Sequence, residues 1–175
     1  INHQMKGNVD LAFETFLRSL DFAKKIGDKT TIFNTLLNIG IMYDNNSDYD
    51  KCLYYYYEAL KYADEVDKSS LALLQSYIAE VYLTLDNNEK AEEYLKDAVK
   101  NSILSNDTNS LIWAYSGLGK IELDKKNFAK AENYFKESLS LARKTEFKLE
   151  IIHALTDLGK FYISINNYSL AEKNF

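Results

Sequence analysis

The sequence contains no proline and a single cysteine. Without proline, every residue keeps its backbone hydrogen-bond donor, so no helix is forced to kink or end. One cysteine cannot form an internal disulfide bond, so a reducing compartment is compatible with the sequence. No apolar run approaches the roughly 20 residues that cross a bilayer, and the start at Ile1 shows no signal-peptide pattern. We therefore expect a fragment of a longer cytoplasmic protein with no membrane association.

Catalytic and cofactor-binding motifs are also missing. The chain has no nucleophile–base pair, no glycine-rich phosphate loop and no paired-carboxylate motif. Its two histidines, His3 and His153, lie far apart, and His153 has no carboxylate or cysteine at metal-ligand spacing. A net charge of −5 argues against general binding to nucleic acid. We predict that the chain is not an enzyme and has no catalytic residue, cofactor or metal.

A small residue recurs at a nearly constant step along the chain. The successive intervals are 40, 39, 40 and 40 residues, between Ala12, Cys52, Ala91, Ala131 and Ala171. A second series keeps the same step twelve residues ahead of the first, at Gly40, Ala79, Gly119 and Gly159. A period of about 20–50 residues indicates an array of structural repeats, each in contact with its neighbours.

Each repeat reads as a pair of helices. Phe33, Leu37 and Tyr43 belong to an apolar series at steps of three and four, which is typical of an amphipathic helix. The polar run at residues 44–48 favours a turn, and its last residue, Asp48, suits the N-cap of a second helix. A short turn makes the two helices antiparallel neighbours. The predicted helices are 9–26, 30–45, 49–66, 69–86, 88–105, 108–126, 128–145 and 148–166, with short stubs before residue 7 and after residue 167.

Recurring segments in these helices resemble the tetratricopeptide repeat family. Asn38–Gly40, Gly117–Gly119 and Asp157–Gly159 are similar to the Asn-Leu-Gly signature of the family's first helix, and Tyr49–Leu60 and Phe128–Leu139 are similar to its second-helix signature. The family's usual repeat has about 34 residues. The repeat here is longer, lacks the proline after the second helix, and is similar to repeats of bacterial regulators, peptide-pheromone receptors and kinesin light chains. We interpret the extra residues as about one and a half additional helical turns.

The resemblance implies an all-α fold, a right-handed α-solenoid of antiparallel helical hairpins. We predict a single array over residues 1–175, divided into a partial repeat 1–29, repeats 30–68, 69–107 and 108–147, and a partial repeat 148–175. Because both ends would lie inside a hairpin, apolar side chains such as Ile163, Leu170 and Phe175 could be exposed there. End-to-end self-association of the fragment is therefore an expectation.

The resemblance also places the first helix of each hairpin on an inner, concave surface. The candidate residues of a ligand or peptide groove are Asn34, Leu37, Ile41, Ser76, Glu80, Trp113, Ser116, Lys120, His153, Thr156 and Lys160. Lys120 and Lys160 lie one repeat apart, so an acidic peptide group could bridge them, but the favoured interpretation is a solvated lysine pair. Trp113 could contact a ligand or pack against residues 103–111.

These observations favour a scaffold that binds a protein or peptide, as a segment of a larger bacterial cytosolic regulatory or signalling protein. The bacterial origin is suggested by the composition, rich in Asn, Lys and Tyr, and by the long repeat. The alternative is a sensor domain that binds a small signal peptide and controls an attached output domain.

Overall fold

The computed structural model describes the backbone of residues 2–173 and the side chains of residues 11–173. All regular structure within these limits is helical, which confirms the predicted all-α class. The chain divides into two compact units, residues 1–67 and 68–175. This division lies next to the predicted boundary between the repeats 30–68 and 69–107.

Helices follow one another with short connections in both units. The first unit contains α1 (Asn2–Ile26), α2 (Lys29–Asn45), α3 (Tyr49–Leu60) and a 3-10 turn at Ala63–Glu65. The described part of the second unit contains α4 (Lys68–Thr84), α5 (Asn88–Ser105), α6 (Thr108–Asp124), α7 (Phe128–Thr145), α8 (Lys148–Ser164) and α9 (Tyr168–Glu172). Consecutive helices within each unit pack together, so the predicted helical hairpins are present.

Two helix ends differ from the sequence prediction. α1 begins at Asn2 and continues through Gly7, where a separate stub was predicted before a helix over 9–26. A glycine inside a helix costs about 1 kcal/mol relative to alanine but keeps its backbone donor, so it does not have to end the helix. The predicted helix over 49–66 is also wrong, because α3 ends at Leu60. The rest of the predicted stretch contains the 3-10 turn instead. The second helices of the next two hairpins, α5 and α7, are longer, with 18 residues each.

Contacts with the start of α2 hold the 3-10 turn in place. The Lys29 ammonium group pairs with the Glu65 carboxylate, and the Thr30 hydroxyl donates to the Glu65 backbone carbonyl at 3.3 Å. After α3 the bonding pattern tightens, since the Tyr62 N–H donates to the Ala59 carbonyl three residues earlier, at 2.9 Å. A bond over three residues is the 3-10 pattern and ends the α-helix.

Three-residue turns connect the two helices of each hairpin. The middle residue of each turn is left-handed, with φ between 55° and 61°, at Ser47, Asp86, Lys126 and Asn166. The N–H of the next residue then bonds to a carbonyl five residues earlier, as from Asp48 to Tyr43 at 2.9 Å and from Asn127 to Glu122 at 2.8 Å. This is the Schellman arrangement of a helix C-terminus. It closes the turn so tightly that the two helices must run antiparallel.

Caps are present at three described helix ends, and the cap predicted at Asp48 is confirmed. Gly27 has φ +74°, the left-handed conformation that favours glycine after the end of a helix. Asp48 is the N-cap of α3, and its carboxylate accepts a hydrogen bond from the Lys51 backbone N–H at 3.3 Å. Asp28 caps α2 in the same way, with the Thr31 N–H as donor at 3.0 Å. These caps satisfy backbone donors that a helix start leaves unpaired.

Asp107 caps α6 and also joins two repeats of the second unit. Its carboxylate accepts hydrogen bonds from the backbone N–H groups of Asn109 and Ser110, at 3.1 and 3.2 Å. The hydroxyl of Ser69, in the first turn of α4, donates to the same carboxylate at 2.5 Å. Burial alone would raise the pKa of Asp107, but these hydrogen bonds outweigh it and hold the pKa below its usual value.

Recurrent small residues of the described chain lie at buried helix contacts. The Cys52 side chain is fully buried in the first unit. A Cβ atom added to Gly40 would lie 2.3 Å from Cε1 of Tyr56, and one added to Gly119 would lie 2.7 Å from Cε1 of Phe135. The glycines therefore make room for a buried aromatic ring on the following helix.

Candidate functional site

The first helices of successive hairpins lie side by side in the second unit. α4 packs against α6 and α6 against α8, in addition to the contact that each makes with the helix following it. Side chains from neighbouring repeats therefore meet along one surface. The sequence predicts its binding residues on these first helices.

A cavity of about 190 Å³ opens between α4 and α6. We term it the α4–α6 cavity. Apolar side chains form much of its wall: Leu73, Tyr77, Leu83, Leu95 and Trp113. Its remaining lining consists of Gly117 and the polar residues Ser76, Glu80, Ser110, Ser116 and Lys120. An apolar chamber with a few polar groups is the usual form of a ligand-binding site.

A second cavity, of about 370 Å³, opens between α6 and α8. It shares Glu80, Trp113, Ser116 and Lys120 with the first cavity, so the two adjoin each other. Its other lining residues are Ile112, Ser138, Glu150, His153, Ala154, Thr156, Asp157 and Lys160. We term the two cavities together the groove.

Trp113 stands where the two cavities meet. Its side chain is 40% exposed. The indole ring contacts the His153 ring edge-on, with the ring centroids 5.2 Å apart and the planes at 88°. The residue is the only tryptophan of the chain. A tryptophan supported on one side and exposed on the other is typical of binding hot spots.

A charged contact crosses the groove from α6 to α8. The Asp157 carboxylate accepts a hydrogen bond from the Ser116 hydroxyl and lies 3.8 Å from the Lys120 ammonium nitrogen. The Asp157 side chain is only 16% exposed, so it depends on these partners to offset its lost hydration. Lys120 is therefore already paired. This pairing weakens the interpretation in which Lys120 and Lys160 together bridge an acidic group.

The structure brings most of the predicted site residues together. Eight of the eleven line the groove: Ser76, Glu80, Trp113, Ser116, Lys120, His153, Thr156 and Lys160. Asn34, Leu37 and Ile41 lie on α2 in the first unit. Asn34 is exposed and Ile41 half-buried, but Leu37 is only 6% exposed and belongs to the core, so it offers little surface to a ligand.

Sequence reasoning missed Asp157 and Tyr77. The sequence analysis used Asp157 only as the first residue of a family signature, although it lies three residues before Lys160 on the same helix and so shares a face with it.

Among the described residues, no group of histidine, cysteine and carboxylate side chains is arranged to hold a metal ion. None of the described helices combines the length and apolar character required to cross a bilayer.

The model of the tetratricopeptide repeat family matches residues 31–103 and 110–175. The chain therefore belongs to the tetratricopeptide repeat family, as its repeats predict. Members of this family generally mediate protein–protein interactions and are typically non-catalytic. No curated protein sequence matches the chain significantly.

Solved structures confirm the helical repeat solenoid. BtubC (BKLC) from P. vanneervenii superposes with a TM-score of 0.83 at 19% identity, over 98% of this chain and 72% of that protein. A putative kinesin light chain from Podosopora anserina, with nearly identical TPR-like repeats, gives 0.71 at 14% identity, over 99% and 86% of the two chains. The apo form of RapI gives 0.80 at 16% identity, over 97% of this chain and 47% of RapI. At these identities the likeness establishes the fold alone.

Proposed function

We propose that this chain is a scaffold segment that binds an extended peptide or a partner helix in the groove of its second unit. The groove would hold a segment of another protein, and the parent would be a bacterial cytosolic regulatory or signalling protein. Membership of a family that generally mediates protein interactions supports the first part. The composition, rich in Asn, Lys and Tyr, and the long repeat support the second part, a bacterial regulatory or signalling parent protein.

One observation carries the proposal, namely the exposed Trp113 between two adjoining cavities. The α4–α6 cavity supplies apolar walls at Leu73 and Leu83, and the α6–α8 cavity supplies polar groups such as Thr156. Two chambers in a row suit a ligand that extends across successive repeats. Peptides bound in such grooves gain affinity from buried anchor side chains and specificity from surrounding polar groups.

The test is selection of peptides from a displayed random library against the folded chain. Selected peptides are labelled, and their affinity is measured by fluorescence polarisation for the wild type and for Trp113→Ala. We expect roughly tenfold or greater weakening by Trp113→Ala, as for a hot-spot tryptophan. Phe128→Ala is the matched control, because Phe128 is a 46% exposed aromatic residue on α7 that lines neither cavity.

Unchanged circular dichroism and melting of Trp113→Ala would show that the loss is local. Peptides that bind Trp113→Ala as tightly as the wild type would place the binding surface elsewhere and overturn the proposal. Failure to select any peptide that binds the folded chain would count against it as well.

A further inference from the structure

Carboxylates outnumber ammonium groups in the groove. Glu80, Glu150 and Asp157 line it together with Lys120 and Lys160. The contact of Asp157 with Lys120 balances one charge of each sign. Within residues 11–173, neither Glu80 nor Glu150 forms an ion pair. Two unpaired carboxylates therefore face one unpaired lysine, and the groove favours a cation over an anion.

The α4–α6 cavity combines one of these carboxylates with an aromatic ring. Glu80 and Trp113 both line it, and they also line the neighbouring cavity, so they stand at the junction of the two. Tryptophan is the aromatic residue that attracts cations most strongly. The apolar side chains of Leu73 and Leu83 complete the wall. A ligand group that suits this cavity has an apolar stem and a planar cationic end.

We propose that the α4–α6 cavity receives an arginine side chain of the bound peptide, and this inference rests on the proposed function. The guanidinium group would pair with Glu80 and lie against the indole of Trp113. Its methylene stem would cover Leu73 and Leu83. Arginine fits better than lysine because its planar, weakly hydrated guanidinium stacks on aromatic rings and pairs with carboxylates through a rigid fork. The chain's net charge of −5 would add a long-range attraction.

Two comparisons test this inference with peptides selected in the library experiment. In the first, each arginine of a groove-binding peptide is replaced by citrulline, which keeps the shape but removes the charge. In the second, the original and citrulline peptides are measured against Glu80→Gln. The matched control is Glu93→Gln, which removes the same charge from an exposed position on α5 that lines neither cavity.

We expect arginine to be enriched among the selected peptides and its replacement by citrulline to weaken binding roughly tenfold. Glu80→Gln should weaken the arginine peptide by several-fold and leave the citrulline peptide unchanged, while Glu93→Gln should affect neither. Raising the salt concentration should weaken only the arginine peptide.

Selected peptides that depend on Trp113 but lack arginine, or that carry Asp or Glu instead, would overturn this inference and leave the proposed function in place. Equal binding of arginine and citrulline peptides would overturn it too. Peptides that ignore Trp113→Ala would overturn the proposed function, so the two failures are distinguishable.

Discussion

Gly119 provides the sharpest test of how the hairpins pack. It lies on α6 and faces Phe135 of α7, which is 2% exposed. A Cβ atom at Gly119 would lie 2.7 Å from Cε1 of Phe135 and 2.9 Å from two other carbons of its ring. Carbon atoms in good contact are about 3.5–4.0 Å apart. The ring is rigid, and it also contacts Phe161, at a centroid distance of 5.8 Å. Gly119→Ala must therefore push the helices or the rings apart.

The size of the effect follows from two opposing terms. Overpacking a core costs about 1–3 kcal/mol, whereas alanine in place of a helical glycine returns about 1 kcal/mol. We therefore expect Gly119→Ala to reduce the free energy of unfolding by about 1 kcal/mol, with 2 kcal/mol as a rough upper limit. For a chain of this length, about 1 kcal/mol corresponds to a fall in Tm of roughly 2–4 °C.

A double-mutant cycle separates the steric term from helix propensity. Urea unfolding is followed by circular dichroism for the wild type, Gly119→Ala, Phe135→Leu and the double variant. Phe135→Leu removes the rigid ring, so Gly119→Ala should become neutral or stabilising by up to about 1 kcal/mol in that background. The coupling free energy between the two sites should reach about 1 kcal/mol or more. Additive effects, or a stabilised single variant, would refute the contact between Gly119 and the ring.

Two further predictions concern ionisable side chains. Because hydrogen bonds hold the pKa of Asp107 below its usual value, Asp107 should stabilise the fold above about pH 4 and lose this effect as pH falls through the lowered pKa. Asp107→Asn should therefore have a lower free energy of unfolding than the wild type at pH 7. Urea titrations should show that the difference in unfolding free energy becomes smaller in acid. A difference that stays constant with pH would contradict the prediction. Burial raises the pKa of the Cys52 thiol to about 12. Iodoacetamide should therefore modify Cys52 only after the protein unfolds. Rapid labelling of the native protein, measured by mass spectrometry, would contradict the burial of Cys52.

The sequence predicts the hairpins well because their signals are repeated and local. A glycine meets a large side chain at Gly40 with Tyr56 and again at Gly119 with Phe135, so one repeat supports the interpretation of another. Turn chemistry adds independent evidence, since Asp48 caps a helix where the polar run ends. The early end of α3 could not be predicted in this way, because it depends on a contact between Glu65 and Lys29 that no local pattern reveals.

The groove could be predicted in outline but not in its charges. Register alone places Trp113 and Lys120 on the first helix of their repeat, and the structure confirms their partial or full exposure. The ion-pair partner of Lys120 could not be predicted from the register of its helix. Asp157 belongs to the next repeat, and its contacts depend on how closely α6 and α8 approach. Periodicity gives the face on which a side chain lies, whereas pairing across repeats requires the distance between two helices.

Gly117 links the packing of the second unit to the shape of its groove. A Cβ atom at this position would lie 2.8 Å from one methyl carbon of Leu95 and 2.9 Å from the other. Leu95 also lines the α4–α6 cavity, so its flexible end has open space into which it can turn. Gly117→Ala should therefore cost less stability than Gly119→Ala, and the gain in helix propensity of about 1 kcal/mol can offset the clash.

The displaced leucine should instead narrow the cavity. We expect Gly117→Ala to keep the melting behaviour of the wild type and yet weaken, by several-fold, any selected peptide whose binding depends on Trp113. Gly119→Ala should show the reverse, a lower Tm with little change in peptide affinity, since Gly119 lines neither cavity. Thermal melts and fluorescence polarisation of the two variants measure both properties. If both variants lost stability and peptide affinity together, the shape of the groove would depend on the packing of the whole core, and this prediction would be wrong.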